Sequence, residues 1–477
     1  MGLAKRRPSY DDLVRVIADL QDRLAAVEAR NAELESENAE LKRRLAQDSS
    51  NSSKPPSSDS PFRKPAPRSQ RRTSGRKPGG QTGHPGANLK RVADPDEVIE
   101  HRPSACGNCD AALANDAEAA GFAWSQVFDL PDPRLIVTEH RMLTIRCTCG
   151  HLTRAKDPPG ASAPTQYGPG VHALAVYQLV HQHVPSLRTA LGVADLHGAS
   201  VSEGFVHAAL VRAAAALAPF SNHAVALLQQ AEVAHFDESG IRVGATLNWV
   251  HVACTTRLTW YTAHAKRGRA AMDTAGVLPY FTGTLISDAW SSYLAYGTAR
   301  ALCNAHILRD LDGVHTADPV GQQWAKAATQ ALTTAKEATE QARDSGRTTL
   351  TEAEITALEG QFDHAVRCGR STNPDPPPGG KKTFARQLID RLHRRRDDIL
   401  RFLHDLRVPF TNNQAEQDIR MVKIQMKISG GWRTLDGASR WLLVRSYLST
   451  ARKHGLNPMT VLRDLFAGNL WLPPAHA

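Results

Sequence analysis

The chain has 477 residues, of which 41% are hydrophobic, and a formal net charge of +10. That length exceeds one ordinary core and predicts three or four units, while the basic excess favours an acidic polymer, nucleic acid rather than membrane, as partner. No apolar run reaches bilayer length and the N-terminus lacks a signal peptide's apolar stretch, so a soluble, cytoplasmic protein is expected; 7 cysteines, an odd number in a long chain, argue against a disulfide scaffold.

Residues 10–47 carry a heptad. Leu13, Leu20, Val27, Leu34 and Leu41 fall seven apart, with Ile17, Leu24, Asn31, Asn38 and Leu45 as the second set. Such a seam needs a partner helix, and paired asparagines within it fix register, so a parallel coiled-coil dimer is expected. The helix stops in QDSSNSSKPPSSDSP, where Ser, Asn and Pro cannot continue it. Residues 48–98 then read as a disordered basic linker. From Pro61 to Val92 there are nine cations (Arg63, Lys64, Arg68, Arg71, Arg72, Arg76, Lys77, Lys90 and Arg91) and no acid. An extended segment of this kind suits phosphates or a minor groove, or serves as a solvated spacer.

Residues 99–158 hold two cysteine pairs, Cys106 and Cys109 in ACGNCD, and Cys147 and Cys149 in RCTCGH, with His151 as a substitute ligand. Four thiolates on two short loops suit a structural Zn²⁺. AWSQVFDL and LIVTEHRMLTIR, between the pairs, read as strands. Residues 168–230 are helical in pattern. Two helices around Gly198, the second capped by Ser202, are compatible with a DNA-reading helix-turn-helix or with a plain helical hairpin.

The pattern changes after Ala231. AEVAHFD, LNWVHVAC, RLTWYTAH and TGTLISD read as four strands, with Gly244 and Thr255–Thr256 in turns. Asp237 closes the first and Asp288, 51 residues later, closes the last. Thr411, Asn412 and Asn413 then open a helix carrying Glu416 in its first turn, and Arg420, Lys423 and Lys427 recur on the same side. Three carboxylates can hold two divalent ions around a phosphodiester, and adjacent cations can bind phosphate. Glu238 is a rival ligand, but strand neighbours point to opposite faces. His306, in CNAHILRD, can orient a phosphate or water, or simply pack. Cys254, Cys303 and Cys368 read as small core or surface residues. Residues 311–408 are mostly helical, broken at STNPDPPPGGKK. Lys381, Lys382, Arg386, Arg391, Arg394, Arg395 and Arg396 give the second half a basic character, for DNA contact or for solvation.

The stretches FDESG, ISDAWSSY, ALCNAHILRDL, PFTNNQAEQDIRMVKIQMKISGGWR and RSYLSTARKHGLNP resemble the DDE transposases of the insertion-sequence-66 family, and NSSKPPSSD, the cysteine pairs and the heptad correspond to its N-terminal features. The resemblance implies a multidomain α/β protein with an RNase H-like catalytic core, its first part at 231–310 and its C-terminal part at 409–470, interrupted by a helical insertion at 311–408. It implies Asp237, Asp288 and Glu416 as ligands of two Mg²⁺ or Mn²⁺ ions, with Arg420, Lys423, Lys427 and His306 toward DNA. The expected activity is cleavage and strand transfer of an insertion sequence. The expected partners are element ends, target DNA, a second copy of the chain and accessory proteins of the same element, on a bacterial nucleoid. The alternative is a non-catalytic dimeric DNA-binding protein, a repressor or a degenerate transposase.

Overall fold

A computed structural model describes residues 9–46, 89–158, 160, 163–297 and 299–475. Most of the basic linker, including Arg63 to Lys77, lies outside the described residues. The chain divides into two units, residues 68–134 and the remainder, each described by itself.

In the larger unit, α1 (Tyr10–Ala46) is one uninterrupted helix. Its apolar seam is uncovered: Leu13, Ile17, Leu20, Leu24, Val27, Leu34 and Leu41 are 45–59% exposed. A short hairpin, β1 (Thr144–Arg146) and β2 (Leu152–Arg154), holds the second cysteine pair in its turn. The strands expected over 123–130 and 135–143 do not form; only the last three residues of LIVTEHRMLTIR are extended and paired. Strand propensity alone does not hold a strand without a ladder partner and a face to bury, and Val127, Leu130, Ile136 and Val137 are exposed.

Helices α2 (Pro169–Val176), α3 (Ser186–His197), α4 (Glu203–Ala216) and α5 (Ala218–Gln229) follow. Gly198 ends α3 in the left-handed conformation at φ +67°, and Ser202 Oγ accepts from Phe205 N at 3.1 Å to cap α4. The inner face of α4 (Val206, Ala209, Leu210 and Ala213) is buried in the main core.

The central sheet begins with β3 (Val233–Val243), β4 (Thr246–Cys254) and β5 (Thr259–His264), an antiparallel meander. Gly244, at φ +57°, supplies the positive dihedral that the two-residue turn between β3 and β4 requires. Helix α6 (Arg269–Thr274) leads to β6 (Thr284–Ser287), which runs parallel to β3, and β7 (Arg300–Leu302) runs parallel to β6. The order is β5-β4-β3-β6-β7. Gly283 permits the close start of β6, since a Cβ there would sit 2.1 Å from Ala231 O.

The strand boundaries correct the sequence reading. β3 does not end at Asp237 but continues to Val243, because β4 pairs with it residue by residue out to Thr246. Asp237 therefore lies in mid-strand, though just past the last β3–β6 pair, His235 with Ile286. β7 is a further strand that the sequence pattern did not signal.

A helical block, α7 (Asn304–Ala317), α8 (Gln323–Asp344), α9 (Glu352–Thr372), α10 (Phe384–Arg394) and α11 (Arg396–His404), forms its own core around Leu311, Trp324, Leu332, Phe362, Leu392 and Phe402. Then α12 (Asn413–Ser429), α13 (Leu435–Lys453) and α14 (Pro458–Phe466) return to the sheet. The edge strand β5 is covered by α13: Ser446 Oγ accepts from Tyr261 N at 2.9 Å and Thr450 Oγ1 from Thr259 N at 3.1 Å. Sheet residues thus alternate between two cores. Ile241 and Val243 face α12 and α13, and Ala234 and Phe236 face a cluster with Trp260, Met272 and Phe281.

Candidate active site

The parallel register sets Asp237 against Asp288. Val233 pairs with Thr284 and His235 with Ile286; continuing that offset of 51 by two residues brings Asp237 opposite Asp288. The sequence separation of the two aspartates is thus the register of the strands that carry them. Asp288 Oδ1 accepts from Trp290 N at 2.9 Å, which steadies the turn leaving β6.

Glu416 reaches the same place through Asn412. Rather than capping α12 with its side chain, the buried Asn412 bridges to β3: Nδ2 donates to Phe236 O at 2.8 Å and Oδ1 lies 2.9 Å from His235 Nδ1. Its backbone N–H donates to Cys303 Sγ at 3.2 Å, and its carbonyl accepts from Glu416 N at 3.2 Å. The first turn of α12 is therefore tied to the residue immediately before Asp237.

Asp237 and His235 share strand parity and face α12; Glu238 faces the other way. There Arg267 Nε and Nη2 donate to Glu238 Oε1 at 3.0 and 2.6 Å, and Tyr293 OH donates to Oε2 at 2.6 Å. The rival carboxylate is thus already engaged. Asp237 has no cation, only the Glu238 N–H donating to its Oδ1 at 2.8 Å: burial, followed by the charge of Glu238 and, more weakly, those of Asp288 and Glu416, outweighs that bond and pushes its carboxyl up to about 8. Burial also raises Asp288, against the N–H of Trp290 and the charge of Arg267.

Two side chains complete the neighbourhood. Cys303, just before α7, lies 3.9 Å from Glu416 Oε1, and burial and that charge push its thiol up to about 12. His306 sits in the first turn of α7, where burial, with Arg309 and Arg391 nearby, lowers it to about 4. At neutral pH it is an uncharged ring, able to share a hydrogen bond or ligate but not to act as a cation toward phosphate. Ligand atoms of Cys303, His306 and Glu416 all lie within 4.8 Å of one another. The sequence pattern marks Cys303 only as a small core or surface residue; the signal for more is its spacing, three residues before a histidine at a helix start.

Arg420 and Lys427 are exposed and Lys423 half-exposed on α12, with no carboxylate at ion-pair distance among the described residues. Five of the seven cations in the second half of the helical block are paired with acids. Lys382 and Arg386 bridge Asp375 and Asp390, Arg391 pairs with Asp310, Arg395 with Asp398, and Arg396 with Glu359 and Asp363. Most of that charge is spent inside the block.

The cysteine pairs fall in different units. In one, Asp110 N donates to Cys106 O, and backbone N–H groups of Asn108 and Cys109 lower the Cys106 thiol. In the other, Gly150 N donates to Cys147 O, and the Cys149 N–H lowers Cys147. Each turn by itself favours thiolate.

Residues 164–440 match the family model described as "Transposase IS66 family", and residues 5–90 match a "Family of unknown function (DUF6444)". A curated relative, the "Uncharacterized protein y4jO" of Sinorhizobium fredii, is 32% identical over 114 residues, covering 20% of this chain and 36% of the relative. The match thus spans about a third of that relative's length. The first of these matches covers more than half of the chain, including Asp237, Asp288 and Glu416, and the chain belongs to the IS66 family of transposases.

Proposed function

We propose that the chain cleaves DNA at the ends of an insertion sequence and transfers the freed strand to a target, using Asp237, Asp288 and Glu416. The observation that carries this reading is the meeting of β3, β6 and α12: strand register pairs the two aspartates, and Asn412 ties Glu416's helix to Phe236. A three-strand meander extended by two parallel strands supports an RNase H-like core, and the helical block supports the insertion within it.

The site fits divalent ions. Its donors are all carboxylate oxygens, the set that Mg²⁺ and Mn²⁺ prefer, and burial beside further acids pushes Asp237 up to about 8, a shift that a bound cation would reverse. Two such ions on Asp237, Asp288 and Glu416 would supply Lewis acidity and charge neutralisation. The chain's own contribution is placement. Asn412 and the β3–β6 ladder hold the half-buried carboxylates in register. Arg420, Lys423 and Lys427 bind phosphates along the exposed side of α12. Water attacks the phosphodiester at the element end, forming one P–O bond and releasing a 3′-hydroxyl. That hydroxyl then attacks target DNA in the same way. No enzyme nucleophile is required.

The remaining features fit the same reading. The uncovered seam of α1 suits a second copy of the chain in a coiled coil, and the cysteine turns suit structural zinc. Accessory proteins and a place on the bacterial nucleoid belong to the proposal and follow from the family alone.

The test is metal-dependent nicking and strand transfer on DNA carrying matched element ends. Asp237→Asn, Asp288→Asn and Glu416→Gln should each lower both by on the order of 10²–10³-fold or more, the scale of single charge-stabilising groups, with DNA binding retained. Retained activity in one variant removes that residue from the set; no activity in the parent favours a binding protein without catalysis.

A further inference from the structure

The acids assigned to catalysis do not account for the side chains beside Glu416. Cys303 and His306 flank the start of α7, Glu416 the start of α12, and their ligand atoms lie within 4.8 Å of one another. The scaffold is fixed on several sides. Cys303 N donates to Ser287 O at 2.9 Å, Asn304 N to Phe410 O at 3.1 Å, and Asn412 N to Cys303 Sγ at 3.2 Å. His306 Nδ1 is buried with no hydrogen-bond partner among the described residues, whereas buried ring nitrogens ordinarily have one.

We propose that Cys303, His306 and Glu416 form a binding site for one borderline-soft transition-metal ion, Zn²⁺ or Co²⁺, and that its occupancy withdraws Glu416 from the all-oxygen catalytic set. A tetrahedral shell with bonds of about 2.0–2.3 Å has ligand–ligand edges of about 3.3–3.8 Å, so side-chain movements of about 1 Å close the site. One sulfur, one nitrogen and one oxygen select Zn²⁺ or Co²⁺ over Mg²⁺, which prefers oxygen and its own waters. Three protein ligands leave a fourth position for water or a phosphate oxygen. Arg309 and Arg391 face the ring; Arg391 is paired with Asp310, and Arg309 Nε donates to Ala305 O. Binding requires loss of the thiol proton, so it competes with acid. The same carboxylate cannot serve two incompatible shells, which makes the ion an inhibitor of Mg²⁺-supported chemistry. That second step rests on the proposed function; the binding site does not.

The binding test uses the full chain, Co²⁺ as probe and no DNA. The parent should bind one more Co²⁺ than Cys303→Ser, and its thiolate-to-cobalt absorption should exceed that of the variant. Glu416→Gln, which leaves the thiol and the helix start intact, should weaken the same site about tenfold or more. Equal stoichiometry and absorption in all three proteins would overturn the site. In the nicking assay, Zn²⁺ should suppress the Mg²⁺-supported rate of the parent. Cys303→Ser should relieve that suppression about tenfold, measured against its own Zn²⁺-free rate. An unchanged inhibition constant would overturn the withdrawal of Glu416. Parent protein that never nicks counts against the catalytic reading and leaves the Co²⁺ result standing.

Discussion

The two faces of β3 give adjacent carboxylates different partners, although burial raises both above the ordinary carboxyl range. Glu238, 1% exposed, receives Arg267 and the Tyr293 hydroxyl, and the guanidinium is itself stacked over Trp290 at 4.2 Å and Trp249 at 5.0 Å. Asp237, one residue earlier, meets further acids and no cation at ion-pair distance among the described residues. The protein supplies countercharge on one face and withholds it on the other. A satisfied buried acid is an element of structure, whereas a buried acid crowded by its own kind calls for charge from outside.

Removing the cation breaks this contrast most severely. Arg267→Met leaves Glu238 buried and uncompensated. Breaking a fully buried pair costs roughly 3–5 kcal/mol; because Arg267 is 39% exposed, about 2–3 kcal/mol is expected after solvent screening. Denaturant unfolding of the parent, Arg267→Met and the double variant with Glu238→Gln measures it. The double variant should recover most of the loss. A single variant as stable as the parent would show that Glu238 is not held by Arg267.

Asn412 links the two faces to the third acid, and its loss comes next. Asn412→Ala strands the Phe236 carbonyl and the His235 ring, a cost of about 1–3 kcal/mol for buried polar groups left unpaired. It also frees the start of α12, so the Mg²⁺ concentration giving half-maximal nicking should rise more than the maximal rate falls. A loss of stability with an unchanged Mg²⁺ requirement would make Asn412 a packing residue only.

Much of this arrangement was legible in sequence, and the failures have physical causes. Turn chemistry at Gly198, Ser202 and Gly244 acts over a few residues and reads directly. The continuation of β3 past Asp237 did not, because Glu238-Ser239-Gly240 has turn composition and only the pairing with β4 overrides it. β7 has three residues, too few for a pattern. The charge on α10 and α11 is only partly legible: Asp390 and Asp398 lie within a turn of Arg386 and Arg395, but Asp310 lies 81 residues before Arg391 and Asp363 33 before Arg396. Asn412 was recognised as a capping type but is used as a bridge, a choice made by the strand beside it.

The pH dependence of the metal-free protein sharpens the comparison. Asp237 is held well above its ordinary value, to about 8. The folded state therefore keeps a proton that the unfolded chain loses near 4, and the stability from this group is full at acid pH and declines until pH passes about 8. Asp237→Asn removes that decline. Its melting temperature relative to the parent should climb between pH 5 and 6.5, by an amount equivalent to about 2 kcal/mol, at about 1.4 kcal/mol per pH unit. Mg²⁺ should narrow the gap by stabilising the parent alone. A difference that stays flat with pH would place the carboxyl in an ordinary environment.

The contrast between paired and unpaired charge extends to DNA, where the smallest effect is expected. Lys423 on α12 has no carboxylate at ion-pair distance among the described residues, whereas Lys382 bridges Asp375 and Asp390. Each phosphate contact contributes about 0.9 to the slope of log affinity against log salt. Lys423→Gln should therefore flatten the slope by about one and weaken binding severalfold, evenly across sequences. Lys382→Gln removes a cation of equal charge and should leave the slope unchanged. Its ammonium is already neutralised by carboxylates, so few counterions are released when DNA approaches. Equal flattening by both would mean that the ion pairs of the helical block open to admit DNA, and that pairing does not separate structural cations from functional ones in this molecule.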